Sequence, residues 1–135
     1  MSHDAAIGPI SYTIDKAHGT VCEVWRGHVT ADDIRKYCEV YFADPEILAL
    51  RRTLSDVRSV NIGFTGQELW DLVSGIVLPA LKGRDWRTAF LVDRPVQIGV
   101  ARQYQVLSEQ YNTVRIFHDY DEALDWLCQP GTGVG

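Results

Sequence analysis

The sequence predicts an α/β fold: a mostly parallel five-stranded sheet opened by an antiparallel N-terminal hairpin, in the order ββαβαβαβα. Three observations predict it. The hydrophobic period switches repeatedly between two and nearly four along the chain. Helix-start signals at Thr30, Thr65 and Asp119 each follow a strand-like run. The segment Ala89-Phe90-Leu91-Val92 is apolar throughout, as a central strand covered on both faces by helices should be.

Ile10, Tyr12 and Ile14 alternate with Ser11, Thr13 and Asp15, which reads as a strand with one wet face. Lys16-Ala17-His18-Gly19 makes a turn, and Thr20 to Arg26 returns as the second strand of a hairpin. Thr30 caps a helix whose acidic first turn, Asp32-Asp33, suits the positive end of its dipole. Ile34, Tyr37, Cys38 and Tyr41 form its buried stripe, and Asp44-Pro45 ends or restarts it. Arg52 to Val57 is the third strand. Thr65-Gly66-Gln67-Glu68 has the form of a capping box. Leu69, Leu72, Val73, Ile76 and Val77 line one face of the helix behind it, which Pro79 closes. Thr88 to Val92 is the fourth strand. Pro95 occupies the first turn of the next helix, whose stripe is Val96, Val100, Tyr104, Leu107 and Tyr111. Thr113 to Phe117 is the fifth strand, and Asp119-Tyr120-Asp121-Glu122 opens a last helix that buries Ala123, Leu124 and Leu127. Gly75 and Gly99 each cost a helix ~1 kcal/mol relative to Ala, which points to close packing on the sheet.

The 135 residues suit one domain with one core, spanning residues 10–128, with flexible ends at 1–9 and 129–135. Apolar residues make up 46% and charged residues 23%, a globular composition. A net charge of -5, with the 13 Lys and Arg scattered, argues against nucleic acid as a partner, because no basic face is gathered to displace counterions from phosphates. No apolar run approaches the ~20 residues that span a bilayer. Cys22, Cys38 and Cys128 cannot form a closed disulfide set, and no secretory signal opens the chain, so a cytoplasmic location is expected.

Tyr12-x-Ile14-Asp15, the run from Leu54-Ser55-Asp56 to Thr65-Gly66, and Arg115-Ile116-Phe117 with Ala123-Leu124-x-Trp126-Leu127 carry a resemblance. Together with the element order, they make the chain similar to the STAS fold of anti-anti-sigma factors and to small bacterial STAS/SEC14-like proteins. In the anti-anti-sigma family the loop after the third strand reads D-L-S-G-V-x-F-I-D-S, and its last Ser is phosphorylated. Asp56 and Val60 match that pattern, and Thr65 falls at the acceptor position, while Phe64 stands where the family has Asp. The resemblance implies a non-enzymatic regulatory module that binds another protein through the surface from Ser59 to Glu68. Its SEC14-like half implies a different class, a carrier of a small apolar ligand or lipid.

Candidate site residues follow. Thr65 is either a helix cap or a phospho-acceptor at a helix N-terminus. Asp56 and Ser59 support the loop before it. Phe64, Trp70, Ile76 and Tyr104 would line a cleft between sheet and helices. Asp56, Asp93 and His118-Asp119 fall at the carboxyl ends of predicted parallel strands, where α/β sheets bind ligands. Against that, Asp93 and Asp119 each precede a helix and read as caps, and Asp56 reads as a tie for its own loop. No Cys/His spacing suits a metal, no nucleotide-binding or hydrolase motif occurs, and neither catalysis nor a cofactor is expected. Trp70 and Trp126 sit off the main stripes of their helices and Phe42 stands near a helix end; the three suggest an interface, such as that of a homodimer.

Overall fold

The computed structural model describes residues 4–130. Within them a sheet of six strands runs in chain order: β1 (Asp4–Ile7), β2 (Ile10–Asp15), β3 (Thr20–Thr30), β4 (Arg52–Gly63), β5 (Trp86–Leu91) and β6 (Asn112–Phe117). β1, β2 and β3 pair antiparallel, and β3 to β6 pair parallel. The helices are α1 (Ala31–Tyr41), α2 (Pro45–Leu50), α3 (Gly66–Leu72), α4 (Leu78–Leu81), α5 (Pro95–Ser108) and α6 (Tyr120–Cys128). Each parallel crossover steps one strand over in the same direction. Right-handed connections therefore put α1, α3 and α5 side by side on one face, where α1 meets α3 and α3 meets α5. α6 folds back onto β4, β5 and β6 with a smaller core of Leu54, Ala89, Leu91, Ala123, Trp126 and Leu127.

Four sequence expectations are corrected here. Residues 4–7, expected to be loose, form an edge strand closed by the tight Gly8-Pro9 turn, with Gly8 at φ 60. The strand is short, but Ala5 and Ile7 pack on the core, and that burial outweighs its weak pattern. β3 and β4 are also longer than expected. After a bulge that sets Val57 and Arg58 opposite Trp25, residues 26–30 and 59–63 run on as a two-stranded parallel ribbon, past the ends of the pairing with β2 and β5. The polar run Asp56-Val57-Arg58-Ser59 hides this continuation in the sequence.

The third correction concerns Pro79, which does not close its helix. The helical run from Gly66 continues to Leu81 through a π turn at Val73–Val77, with the Leu78 N–H donating to the Val73 carbonyl. Pro79 has no N–H to offer Gly75 and crowds that carbonyl, so the ladder widens just ahead of it. Fourth, close packing accounts for neither Gly75 nor Gly99, since a Cβ at either would meet nothing within 4 Å. The π turn rationalises the first, and nothing in the structure explains the second.

Candidate functional site

Between the sheet and the layer of α1, α3 and α5 lies a cavity of about 110 Å³. By the same measure one water needs only ~10–15 Å³, so the space suits a small organic molecule or several waters. Its walls are aromatic and aliphatic: Tyr37 and Tyr41 from α1, Leu69, Leu72 and Val73 from the α3 run, Ala101 and Tyr104 from α5. Its floor is mixed: among Val57, Trp86 and Phe90 stand Glu23, Thr53, Ser55 and Thr88, which are buried and polar. Their alternate neighbours Leu54 and Ala89 face α6 instead.

The floor carries three separate hydrogen-bonded groups. Glu23 and Ser55 are register partners on β3 and β4, and Ser55 Oγ donates to Glu23 Oε1 at 2.5 Å. Trp25 Nε1 donates to the same oxygen at 3.1 Å, and Tyr37 Oη donates to Oε2 at 2.6 Å. Tyr41 and Thr53 share a 2.6 Å bond, and Trp86 Nε1 donates to Thr53 at 3.1 Å. Thr88 donates to Asn112 Oδ1, and Asn112 Nδ2 donates to Tyr104 Oη at 3.3 Å. Burial pushes the Glu23 carboxyl above its usual range, against the pull of its three donors. Burial also raises the hydroxyls of Tyr37, Tyr41 and Tyr104, and it lifts the Cys38 thiol to about 12.

The ribbon and α5 meet at the edge of this cavity through Gln97, which is 1% exposed. Its Nε2 donates to the carbonyls of Arg58 and Val60, and its Oε1 accepts from the N–H groups of Asp93 and Arg94. One side chain thus secures the bulge and the start of a helix, while Arg94 donates to the Val60 carbonyl as well.

The residues singled out from the sequence fall in several places. Phe64 and Tyr104 line the cavity. Trp70 and Ile76 do not: Trp70 is 51% exposed in a shallow groove with Gly66, Gln67 and Gln103, and Ile76 packs at the margin of the core. Trp70 sits one position off the inward stripe of Leu69, Leu72 and Val73, which turns it to solvent. Thr65 is exposed and caps α3, accepting from the Glu68 N–H at 3.1 Å while Glu68 Oε1 accepts from the Thr65 N–H. Asp56 supports a bulge rather than a loop, accepting from the Arg58 backbone N–H and, side-on, from Nε and Nη2 of its guanidinium. Burial tends to raise the Asp56 carboxyl, but its bonds to Arg58 together hold it below the ordinary value. Ser59 is an exposed ribbon residue opposite Arg26, not a loop residue.

Asp119 caps α6, whereas Asp93 caps nothing, because Arg94 is the N-cap of α5 and Gln97 takes the cap's role. No hydrogen bond among the described residues joins Asp56, Asp93, His118 and Asp119. Trp126 is buried against Phe117 and Arg115, and Phe42 packs edge-on against Tyr41 and Trp86, so neither offers an interface.

Glu23, Ser55 and Gln97 are the residues that sequence reasoning missed. The first two carried a signal: inner parallel strands are usually near-continuous apolar runs, yet Val21-x-Glu23 and Thr53-x-Ser55 put polar residues on the inward face. Gln97 carried none, since a Gln in a helical first turn is ordinary.

The chain matches no protein-family model and no curated protein. Among solved structures it is similar to an uncharacterised protein of the DUF3478 family with a SpoIIAA-like fold from Shewanella loihica PV-4. The two share 20% identity and a TM-score of 0.62 over 95% of this chain and 96% of that one. The likeness establishes the fold: this is a SpoIIAA-like, and hence STAS-like, α/β domain. No helix among the described residues is long and apolar enough to cross a membrane.

Proposed function

We propose that the chain is a non-enzymatic binding module that holds a small, largely apolar molecule in the cavity between sheet and helices. The observation that carries this reading is the cavity itself. Well-packed interiors leave few voids larger than a water, and a domain of this size has no structural need for a space several times that. Apolar walls over a few convergent polar groups are the common design of small-molecule sites. Nothing on the cavity floor pairs a free nucleophile with a base in an open position: Ser55, the one serine there, spends its proton on Glu23. The test is an amide-resolved NMR titration with a neutral aromatic probe, phenethyl alcohol. The reading expects saturable shifts centred on Tyr37, Ser55, Thr88, Ala101 and Tyr104. Shifts confined to the groove at Gly66, Gln67 and Trp70 would remove it.

A second reading, a regulatory module that docks on another protein, has one observation in its favour. Thr65 and the half-exposed Trp70 lie on the same short helix start, where phosphate and an aromatic contact would act together. Partner capture that survives both Trp70→Ala and Thr65→Glu would exclude it.

A further inference from the structure

We infer that the molecule taken by this cavity is a small amine, with an apolar body of about one ring and a protonated nitrogen that pairs with Glu23. The inference rests on the cavity being the ligand site and specifies its chemistry. Glu23 is the only carboxylate among the described residues lining the cavity, and none of those residues is Lys, Arg or His. Glu23 is therefore the one group that can bring a charge to this lining near neutral pH, and no cation among the described lining residues answers it.

The bonding around Glu23 leaves a place for such a ligand. An ionised carboxylate has about four lone-pair positions. Ser55 and Trp25 fill the two on Oε1, and Tyr37 fills one on Oε2, so one position on Oε2 stays open. All three donors are neutral. The other titratable groups facing Glu23 are Tyr37, Cys38 and Tyr41 from α1 and Tyr104 from α5, which are uncharged at neutral pH at their ordinary values and are raised further by burial. A buried carboxylate without a cation is the expensive state, and a ligand ammonium relieves it with a charge-assisted hydrogen bond. Beside that position Ser55 Oγ, which donates its own proton to Glu23, keeps lone pairs for a second proton of the ammonium. A carboxylate- or phosphate-headed molecule would instead bring a second negative charge against Glu23, and a neutral alcohol would gain only an ordinary bond.

Calorimetric titration of the whole chain at neutral pH with phenethylamine, phenethyl alcohol and phenylacetate tests this. The three probes share a ring and differ in charge. The expected order is amine, then alcohol, then acid, with the amine ~10-fold or more tighter than the alcohol, the worth of one charge-assisted bond. Glu23→Gln should remove most of that advantage, with a cooperative thermal melt showing that the variant is folded. Equal affinities, tighter binding of phenylacetate, or an amine preference that survives Glu23→Gln would overturn the inference while leaving the cavity as a binding site. Failure of all three probes to bind would overturn the cavity reading, and this inference with it.

Discussion

Tyr37 Oη donates a 2.6 Å hydrogen bond to Glu23 Oε2, joining α1 to the middle of β3 at the floor of the cavity. The pair accounts for two things at once. It gives the inward stripe of α1 a polar contact where a helix facing a sheet normally makes only apolar ones. It also keeps a carboxyl group in a place where burial alone would expel it. Both residues line the space on which the functional reading depends.

Glu23 makes stability depend on pH in a definite direction. The unfolded chain ionises this group near pH ~4.3, and burial raises its folded value above that. Between the two values the unfolded state sheds a proton that the folded state keeps. The Glu23 contribution is therefore complete below ~4.3 and is lost as pH rises through the folded value. Glu23→Gln lacks this titration, so its stability relative to wild type should climb with pH. Urea unfolding across the acid-to-neutral range checks it, and parallel curves for the two proteins would contradict it.

Thr65 is worth about one helix cap. Thr65→Ala should lower unfolding free energy by ~1 kcal/mol, whereas Thr65→Ser, which keeps the hydroxyl that accepts from the Glu68 N–H, should cost little. Thermal melts of the three proteins measure the difference.

Gly63 is held small by its neighbours. A Cβ there would stand 2.5 Å from the His28 ring and 2.7 Å from the Val29 carbonyl oxygen. Gly63→Ala should destabilise by ~1–3 kcal/mol. Adding His28→Ala should recover only part of that loss, because the ring can be removed and the carbonyl cannot. Chemical denaturation of the single and double variants separates the two contacts.

Gln97 is predicted to secure the ribbon. Gln97→Ala strips partners from the carbonyl of Arg58 and the N–H groups of Asp93 and Arg94. Leaving such groups unpaired costs ~1–3 kcal/mol each when they are buried, and these are partly so, which sets the expected loss at ~2 kcal/mol or more. Hydrogen exchange should quicken over residues 59–63 before it quickens over β5. Uniform acceleration across the sheet would count against a local tie.

Much of the architecture was legible because it rests on local signals. Thr30, Thr65 and Asp119 announced three helix starts by capping chemistry, and the alternating Ile10, Tyr12 and Ile14 announced a strand with one buried face. The misreadings share a physical cause, which is that long-range burial overrides a weak local pattern. β1 is held by Ala5 and Ile7 on the core, and the far half of β4 is held by Val60 and Ile62 behind a polar stretch. The cavity was legible only in part. Phe64 and Tyr104 announced an apolar lining, but the floor depends on Glu23 and Ser55 becoming register partners across two strands 32 residues apart, and no local window contains that pairing. Trp70 does stand off its stripe as read, which is why it does not line the cleft, whereas Trp126, read as off its stripe, is buried.

Filling the cavity tests the account most directly. Ala101 is 2% exposed and lines the space, so Ala101→Leu inserts carbon where a ligand would sit. Calorimetry with phenethyl alcohol should show a single site on the wild-type chain and a loss of ~10-fold or more in Ala101→Leu, with thermal stability of the free protein kept or raised. Binding that is undiminished in Ala101→Leu and abolished by Trp70→Ala would place the site on the surface and contradict the account.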